Sequence, residues 1–405
     1  MIHRFRVSNF QSVRETVELD FRVPGTTPEL ECFPVSKSRP DVRLPAVIAL
    51  YGPNGSGKTT ILQSIFGALY FAHASYNNPD FANGPHFLPF LSRETASAST
   101  RVEVDLDVRW PMDSGLETEF RMLRYSVTVI RDKNTLMPTQ VIHEALYSFP
   151  NGRPRRLLER HEGREVYVAK ETGMRPKDDR LSTVSKLQKA SAISALAAME
   201  AGVFPHLARE LAKIRSTFPE PVFSGIDETV ANFYQQSPDV VKKLSSELQR
   251  IDMGIQQMQV QQLPDGRPCL AFSHYGLQSP VIMQKESSGA KQLVRQFPLF
   301  NLALQEGQLV IVDGLDSDLH TELTIEIINW FRKASTNTEK AQLLCSLHNP
   351  AILEELEKEE VVIVKKSASG ATGAYFASDI SGLRRGGNLQ KQYRSGIMGG
   401  LPRFG

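Results

Sequence analysis

The chain has 405 residues, of which 41% are hydrophobic and 23% charged. That is the profile of a folded globular protein and excludes a collagen-like, low-complexity or mostly disordered chain. Lys plus Arg (47) nearly balances Asp plus Glu (45), for a net charge of +2, which argues against wholesale coating of nucleic acid but leaves room for a local basic groove.

In chain order, residues 2–8 alternate and read as a strand, followed by a second short one at Val17–Phe21. Residues 23–43 are rich in Pro, Ser and charge and read as a loop. Leu44–Tyr51 (LPAVIALY) is a continuous apolar run, the pattern of a buried central strand. A glycine-rich turn leads into Thr59–Phe71, which has helical spacing. Val102–Val108 and Arg124–Arg131 alternate as an antiparallel hairpin, and 144–158 and 164–169 continue that β character. Residues 180–262 read as mainly helical, with Leu187–Ala201 rich in good helix formers and Val240–Val260 at helical spacing at first. Strands are expected at 270–274, 281–284, 309–313, 343–346 and 360–364, and a helix at 292–304. This pattern divides the chain into 1–175, an inserted α-helical lobe at 176–265, and 266–405. Three widely spaced cysteines, Cys32, Cys269 and Cys345, suggest neither a disulfide framework nor a zinc site. No apolar run is long enough for a bilayer, so a cytoplasmic protein without a membrane partner is expected.

Gly52-Pro53-Asn54-Gly55-Ser56-Gly57-Lys58-Thr59 matches G-x-x-x-x-G-K-[ST] in full. A buried strand precedes it and a helix follows, the setting the motif requires. Its glycines let backbone N–H groups turn toward phosphate oxygens, and the helix adds its positive end. Lys58 is expected on the β and γ phosphates of ATP, and the Thr59 hydroxyl on Mg2+. Asp313, closing the apolar strand Leu309–Val312, is the expected second magnesium residue. A glutamate often follows such an aspartate to orient or deprotonate water. Here Gly314 follows, and slow or absent hydrolysis is expected.

Asn9-Phe10-Gln11-Ser12, the loop through Thr60, Glu286–Ala290, Asp313 with Leu315–His320, and Leu347-His348-Asn349 occur in that order. Together they resemble the ABC/SMC-like AAA ATPases: SMC heads, DNA-repair heads, and the ATPase module of overcoming-lysogenisation-defect (OLD) nucleases. Leu248–Val260 resembles the helical lobe of that group, and Gly387 through Pro402 its C-terminal end. The resemblance implies an α/β P-loop ATPase core with an N-terminal antiparallel β subdomain and an inserted helical lobe. It also implies a homo-oligomer built from head-to-tail dimers with ATP between heads. Ser288 and Gly289 would reach the opposite subunit's nucleotide, Asp316 would sense the partner, and His348 would be the switch histidine. A plain helix cap at Ser288 and a core histidine at His348 remain alternative readings. Gln11 and Ala290 depart from the family's common residues, and Gln140 is the candidate for a magnesium-contacting glutamine.

The stretch after His348 is too short for the Toprim nuclease domain of OLD nucleases. The resemblance implies bacterial antiphage defence, with an ATP-binding sensor and scaffold controlling a separate effector, a nuclease or toxin, as in the Septu and PARIS systems. The alternative is an active DNA-associated ATPase of the SMC or DNA-repair-head type. Arg153, Arg155 and Arg156 are read as a solvated loop, with phosphate contact as the other reading, and Met253 and Met258 as core; a DNA contact is a possible further partner.

Overall fold

A computed structural model describes residues 1–78, 87–112, 117–131, 138–218, 226–251 and 254–401. Met253 and Pro402 lie outside the described residues.

The chain opens with β1 (Ile2–Ser8) and β2 (Val17–Asp20), in which buried and open positions alternate. β3 (Val47–Tyr51) is buried at all its positions, as the unbroken apolar run predicts, and the phosphate loop delivers it into α1 (Lys58–Ala74). The expected hairpin is the long pair β4 (Thr100–Pro111) and β5 (Thr118–Arg131), in register from Thr100 opposite Val129 to Pro111 opposite Thr118. β6 (Pro138–Ser148), β7 (Arg155–His161) and β8 (Tyr167–Val168) complete an antiparallel seven-stranded sheet in the order β2-β1-β4-β5-β6-β7-β8.

Three short helices follow, α2 (Asp179–Ser185), α3 (Ala192–Ala198) and α4 (Phe204–Ala212), and then β9 (Arg215–Ser216). α5 (Ile226–Gln236) and α6 (Pro238–Arg250) lead to a small antiparallel sheet of β10 (Ile255–Gln262), β11 (Pro268–His274) and β12 (Val281–Ile282). Then come α7 (Ser288–Glu306), β13 (Leu309–Val312), α8 (Thr321–Arg332), β14 (Gln342–Leu347), β15 (Val361–Lys366), β16 (Thr372–Phe376) and α9 (Leu389–Arg394).

The central six-stranded sheet runs β16-β15-β3-β14-β13-β9, parallel except for β16. Its side chains alternate between two hydrophobic cores, because successive residues of a strand face opposite ways. Ile48, Leu50, Ile311, Leu344 and Val362 join α1, the seven-stranded sheet and α2–α4 in one core. Val47, Ala49, Val310, Leu343 and Val361 join α5–α8 and the small sheet in the other. In α1, Ile61, Leu62, Ile65, Leu69 and Phe71 are buried. At roughly 1.5–3 kcal/mol for each large apolar side chain, this anchors the helix whose first turn carries Lys58 and Thr59.

Two helical expectations are corrected. Leu187–Ala201 is helical only over 192–198, where Ser191 accepts hydrogen bonds from the N–H groups of Ile193 and Ser194 and so fixes a later start. Val240–Val260, which includes the Leu248–Val260 stretch that resembled the family's lobe, is helical only to Arg250. Gly254 turns at φ +70°, and Ile255–Gln262 pairs with β11, burying Ile255 and Met258. Glutamine is a good helix former, so here the cross-strand pairing with β11 overrides local propensity. Within 164–169 only Tyr167–Val168 is strand. Among the described residues no helix is long and apolar enough to cross a membrane.

Candidate nucleotide site

The loop between β3 and α1 is shaped by positions where no side chain fits. A Cβ on Gly52 would lie 2.1 Å from the Val364 carbonyl oxygen, and one on Gly57 2.2 Å from Thr372 Oγ1. Gly57 also adopts φ +108°, a left-handed conformation that favours glycine. It stands at the N-cap of α1, where no side chain accepts from the first-turn N–H groups, so those donors face the cleft. Ser56 Oγ is buried there without a partner.

Lys58 is buried, and its Nζ donates to the carbonyl oxygens of Gly52 (2.7 Å) and Pro53 (3.3 Å), which fold it back over the loop. Burial holds its pKa below the ordinary lysine value, with Asp313 and Asp316 pulling the other way. Thr59 Oγ1 donates to Asp313 Oδ2 at 2.8 Å. Ser346 Oγ donates to the other oxygen, Oδ1, at 2.6 Å, and Asp313 N–H donates to Thr217 Oγ1 at 3.0 Å. A hydroxyl and a carboxylate oxygen in contact are the hard donors magnesium takes. The loop, its uncapped helix end and this pair therefore fit a nucleotide triphosphate with Mg2+.

Residues 54–60 and Asp313 line an open cleft of about 570 Å³ together with Gln11, Ser12, Gly314, Ser317, His348 and Lys366. His348 is exposed, so the core-histidine reading fails. Asp313 is the one carboxylate among the described residues lining the cleft. Gly314 adopts φ +67°, and its N–H donates to Ser346 Oγ at 2.7 Å.

Asp316, Ser288 and Gly289 stand apart from the cleft lining, as do Gly52 and Pro53 at the start of the loop. Asp316 Oδ2 accepts the backbone N–H groups of His348 (2.7 Å) and Asn349 (2.6 Å), so within the monomer it holds the histidine's loop. Ser288 and Gly289 open α7. The cap is Ser287, whose Oγ accepts from Ala290 N–H at 3.2 Å, which leaves the exposed Ser288 hydroxyl free of that task. A Cβ on Gly289 would meet the Asp318 carbonyl oxygen at 2.8 Å, so this glycine lets α7 approach the loop after β13.

Sequence reading missed several members. Thr372 Oγ1 donates to Ser12 Oγ (2.8 Å) or Ser56 carbonyl oxygen (2.7 Å), bracing the phosphate loop from a distant strand. Ser346 was visible as the one hydroxyl in the apolar strand LLCSL, whereas Thr217, Thr372 and Lys366 carried no local signal. Gln140 lies on β6 and not in the cleft. The glutamine in the cleft is Gln11, which accepts from Thr60 Oγ1 at 3.2 Å.

Two family models match: one described as "AAA domain" over residues 4–194, and one described as "AAA domain, putative AbiEii toxin, Type IV TA system" over residues 154–354. The chain carries AAA-family domains across residues 4–354. Solved structures similar to this AAA-domain protein include the SMC head domain from Thermotoga maritima (17% identity, TM-score 0.42, covering 93% of this chain and 98% of that one). Another is the SmcHead bound to the C-winged helix domain of ScpA (13% identity, TM-score 0.45, covering 93% and 97%). No curated protein matches the chain.

Proposed function

We propose that this protein is an ATP–Mg2+-binding sensor and scaffold whose heads pair around nucleotide and control a separate effector, with weak or no hydrolysis. Lys58 and the loop N–H groups hold the phosphates, and Thr59 and Asp313 hold the metal. Ser288 and Gly289 serve the opposite subunit's nucleotide across a head-to-tail pair, and Asp316 holds the His348 loop next to it. The observation that carries the reading is Gly314. It stands where a base would be expected, in a cleft that, among the described residues, is lined by no carboxylate other than Asp313. A general base normally contributes ~10²- to 10⁴-fold in rate, so its loss favours holding a bound state over turning over. The toxin–antitoxin wording in one matching family description, and the resemblance to Septu and PARIS subunits, support antiphage defence as the setting.

Radiolabelled ATP tests this directly. Micromolar or tighter binding, nucleotide-dependent dimerisation and negligible turnover are expected. Brisk, DNA-stimulated hydrolysis would instead make the protein a cycling DNA-associated ATPase, with His348 the first candidate base.

A further inference from the structure

His143 on β6 and His161 on β7 are directly opposed in the antiparallel register. Glu159, two residues before His161, points from the same face and lies opposite Ala145, whose methyl group leaves space over the pair. His143 Nε2 and His161 Nε2 lie 3.3 and 3.4 Å from the same oxygen, Glu159 Oε1. The two imidazole rings sit 4.4 Å apart, tilted by 35°, so they present their edges side by side. All three donor atoms fall within 4.8 Å of one another, and no other such group of His, Cys, Asp and Glu occurs among the described residues.

These separations match a metal polyhedron. Tetrahedral zinc with nitrogen and oxygen ligands at ~2.0–2.2 Å has ligand–ligand edges of ~3.3–3.6 Å. The outer contacts are also in place. Arg156 donates to the other carboxylate oxygen, Oε2, and lies 3.9 Å from the Tyr167 ring centroid, so the carboxylate is oriented, while Oε1, which also accepts from Tyr147 Oη at 3.4 Å, faces both imidazoles. The side chains are 25% (His143), 15% (Glu159) and 43% (His161) exposed, so a fourth position opens to solvent.

We propose that His143, Glu159 and His161 form a binding site for a borderline divalent transition ion, zinc first, on the outer β sheet. Two imidazoles and one carboxylate suit zinc better than magnesium or calcium, which favour oxygen ligands. The site belongs to the seven-stranded sheet, while the phosphate loop belongs to the six-stranded one, so the two metals are distinct. The ion would clip β6 to β7.

The test uses the full chain, tag-free, stripped with EDTA and without nucleotide, titrated with zinc and measured by equilibrium dialysis with elemental analysis. One zinc per chain is expected, with affinity falling at least ~10-fold in His161→Ala and in Glu159→Gln. Circular dichroism checks that both variants stay folded. The free cysteines Cys32, Cys269 and Cys345 are all buried, and cobalt in place of zinc should show no thiolate charge-transfer band. Substoichiometric binding, or one-to-one binding that both variants retain, would overturn the assignment.

Discussion

Thr59 Oγ1 donates to Asp313 Oδ2 across 2.8 Å, joining the first turn of α1 to the tip of β13. Neither residue could make this contact from its own segment. β3 and β13 are separated in the sheet by β14, and the pairing of all three in parallel brings both strand ends to one edge. Ser346 at the end of β14 then sits between them and bonds Asp313. The Thr59–Asp313 pair is thus a product of strand order, and its partners come from strands on either side: Ser346 from β14 and Thr217 just beyond β9.

Lys58→Ala should weaken ATP binding by ~10- to 150-fold, because a hydrogen bond to a charged group contributes about 1.5–3 kcal/mol. Asp313→Asn should leave nucleotide binding measurable but reduce its dependence on Mg2+. Isothermal titration with and without Mg2+ distinguishes the two effects. Undiminished ATP affinity in Lys58→Ala would contradict the loop assignment.

Gly314 is more than a missing glutamate. At φ +67° it occupies a conformation that costs an L-residue roughly 1–2 kcal/mol, and an added Cβ would lie 2.5 Å from Ser317 Oγ. Gly314→Ala should therefore lower stability by about that amount, and Gly314→Asn by less, since Asn tolerates this region better. Chemical denaturation reads the difference. Gly314→Glu should carry the same stability loss, and should raise turnover if the absent carboxylate limits hydrolysis. Unchanged turnover with intact ATP binding would move the base to another group.

The phosphate loop, β3, α1 and Asp313 were legible in the sequence because each is written locally, as a glycine pattern, an apolar run or helical spacing. Asp316 was legible as a residue but not in its monomer contacts: nothing nearby in sequence indicates that its carboxylate holds the N–H groups of His348 and Asn349. Thr372 was invisible because its contacts, with Ser12 and Ser56, span more than three hundred residues. β10 was misread because helix period and strand period are hard to separate in a polar stretch, and its pairing with β11 decided the outcome. His143, Glu159 and His161 are spaced without a recognisable motif, and only the register of β6 against β7 assembles them.

His73, near the C-terminal end of α1, should make the fold acid-sensitive well above the carboxylate range. Burial lowers its pKa from 6.5 to about 4, with its ring against Tyr70 at 5.0 Å. The folded state therefore holds the imidazole neutral while the unfolded chain protonates it. Between those two values the unfolded state binds more protons, so stability is complete above about pH 6.5 and is lost as pH falls toward 4. The loss is at most ~3 kcal/mol. Urea unfolding at pH 7.5 and pH 5 should show it, and His73→Gln should flatten the slope. A His73→Gln variant with an unchanged pH profile would assign the acid sensitivity to other groups.

Glu144 is a fully buried polar tie between the outer sheet and the helices over α1. Fully buried on β6, it accepts from Tyr125 Oη (3.0 Å), Ser191 Oγ (2.5 Å), Ala192 N–H (2.8 Å) and Arg160 Nη2 (2.9 Å). It thus joins β5, β7 and the start of α3. Glu144→Ala would leave the Arg160 guanidinium buried without its counter-ion, a loss on the order of 3–5 kcal/mol. Replacing both charges, as in Glu144→Leu with Arg160→Met, should cost much less than the single change, because removing a buried pair together leaves no orphaned charge. Denaturation midpoints of the single and double variants decide it. If the double variant is as unstable as the sum of the single ones, the four contacts are additive packing and not one charge-linked unit.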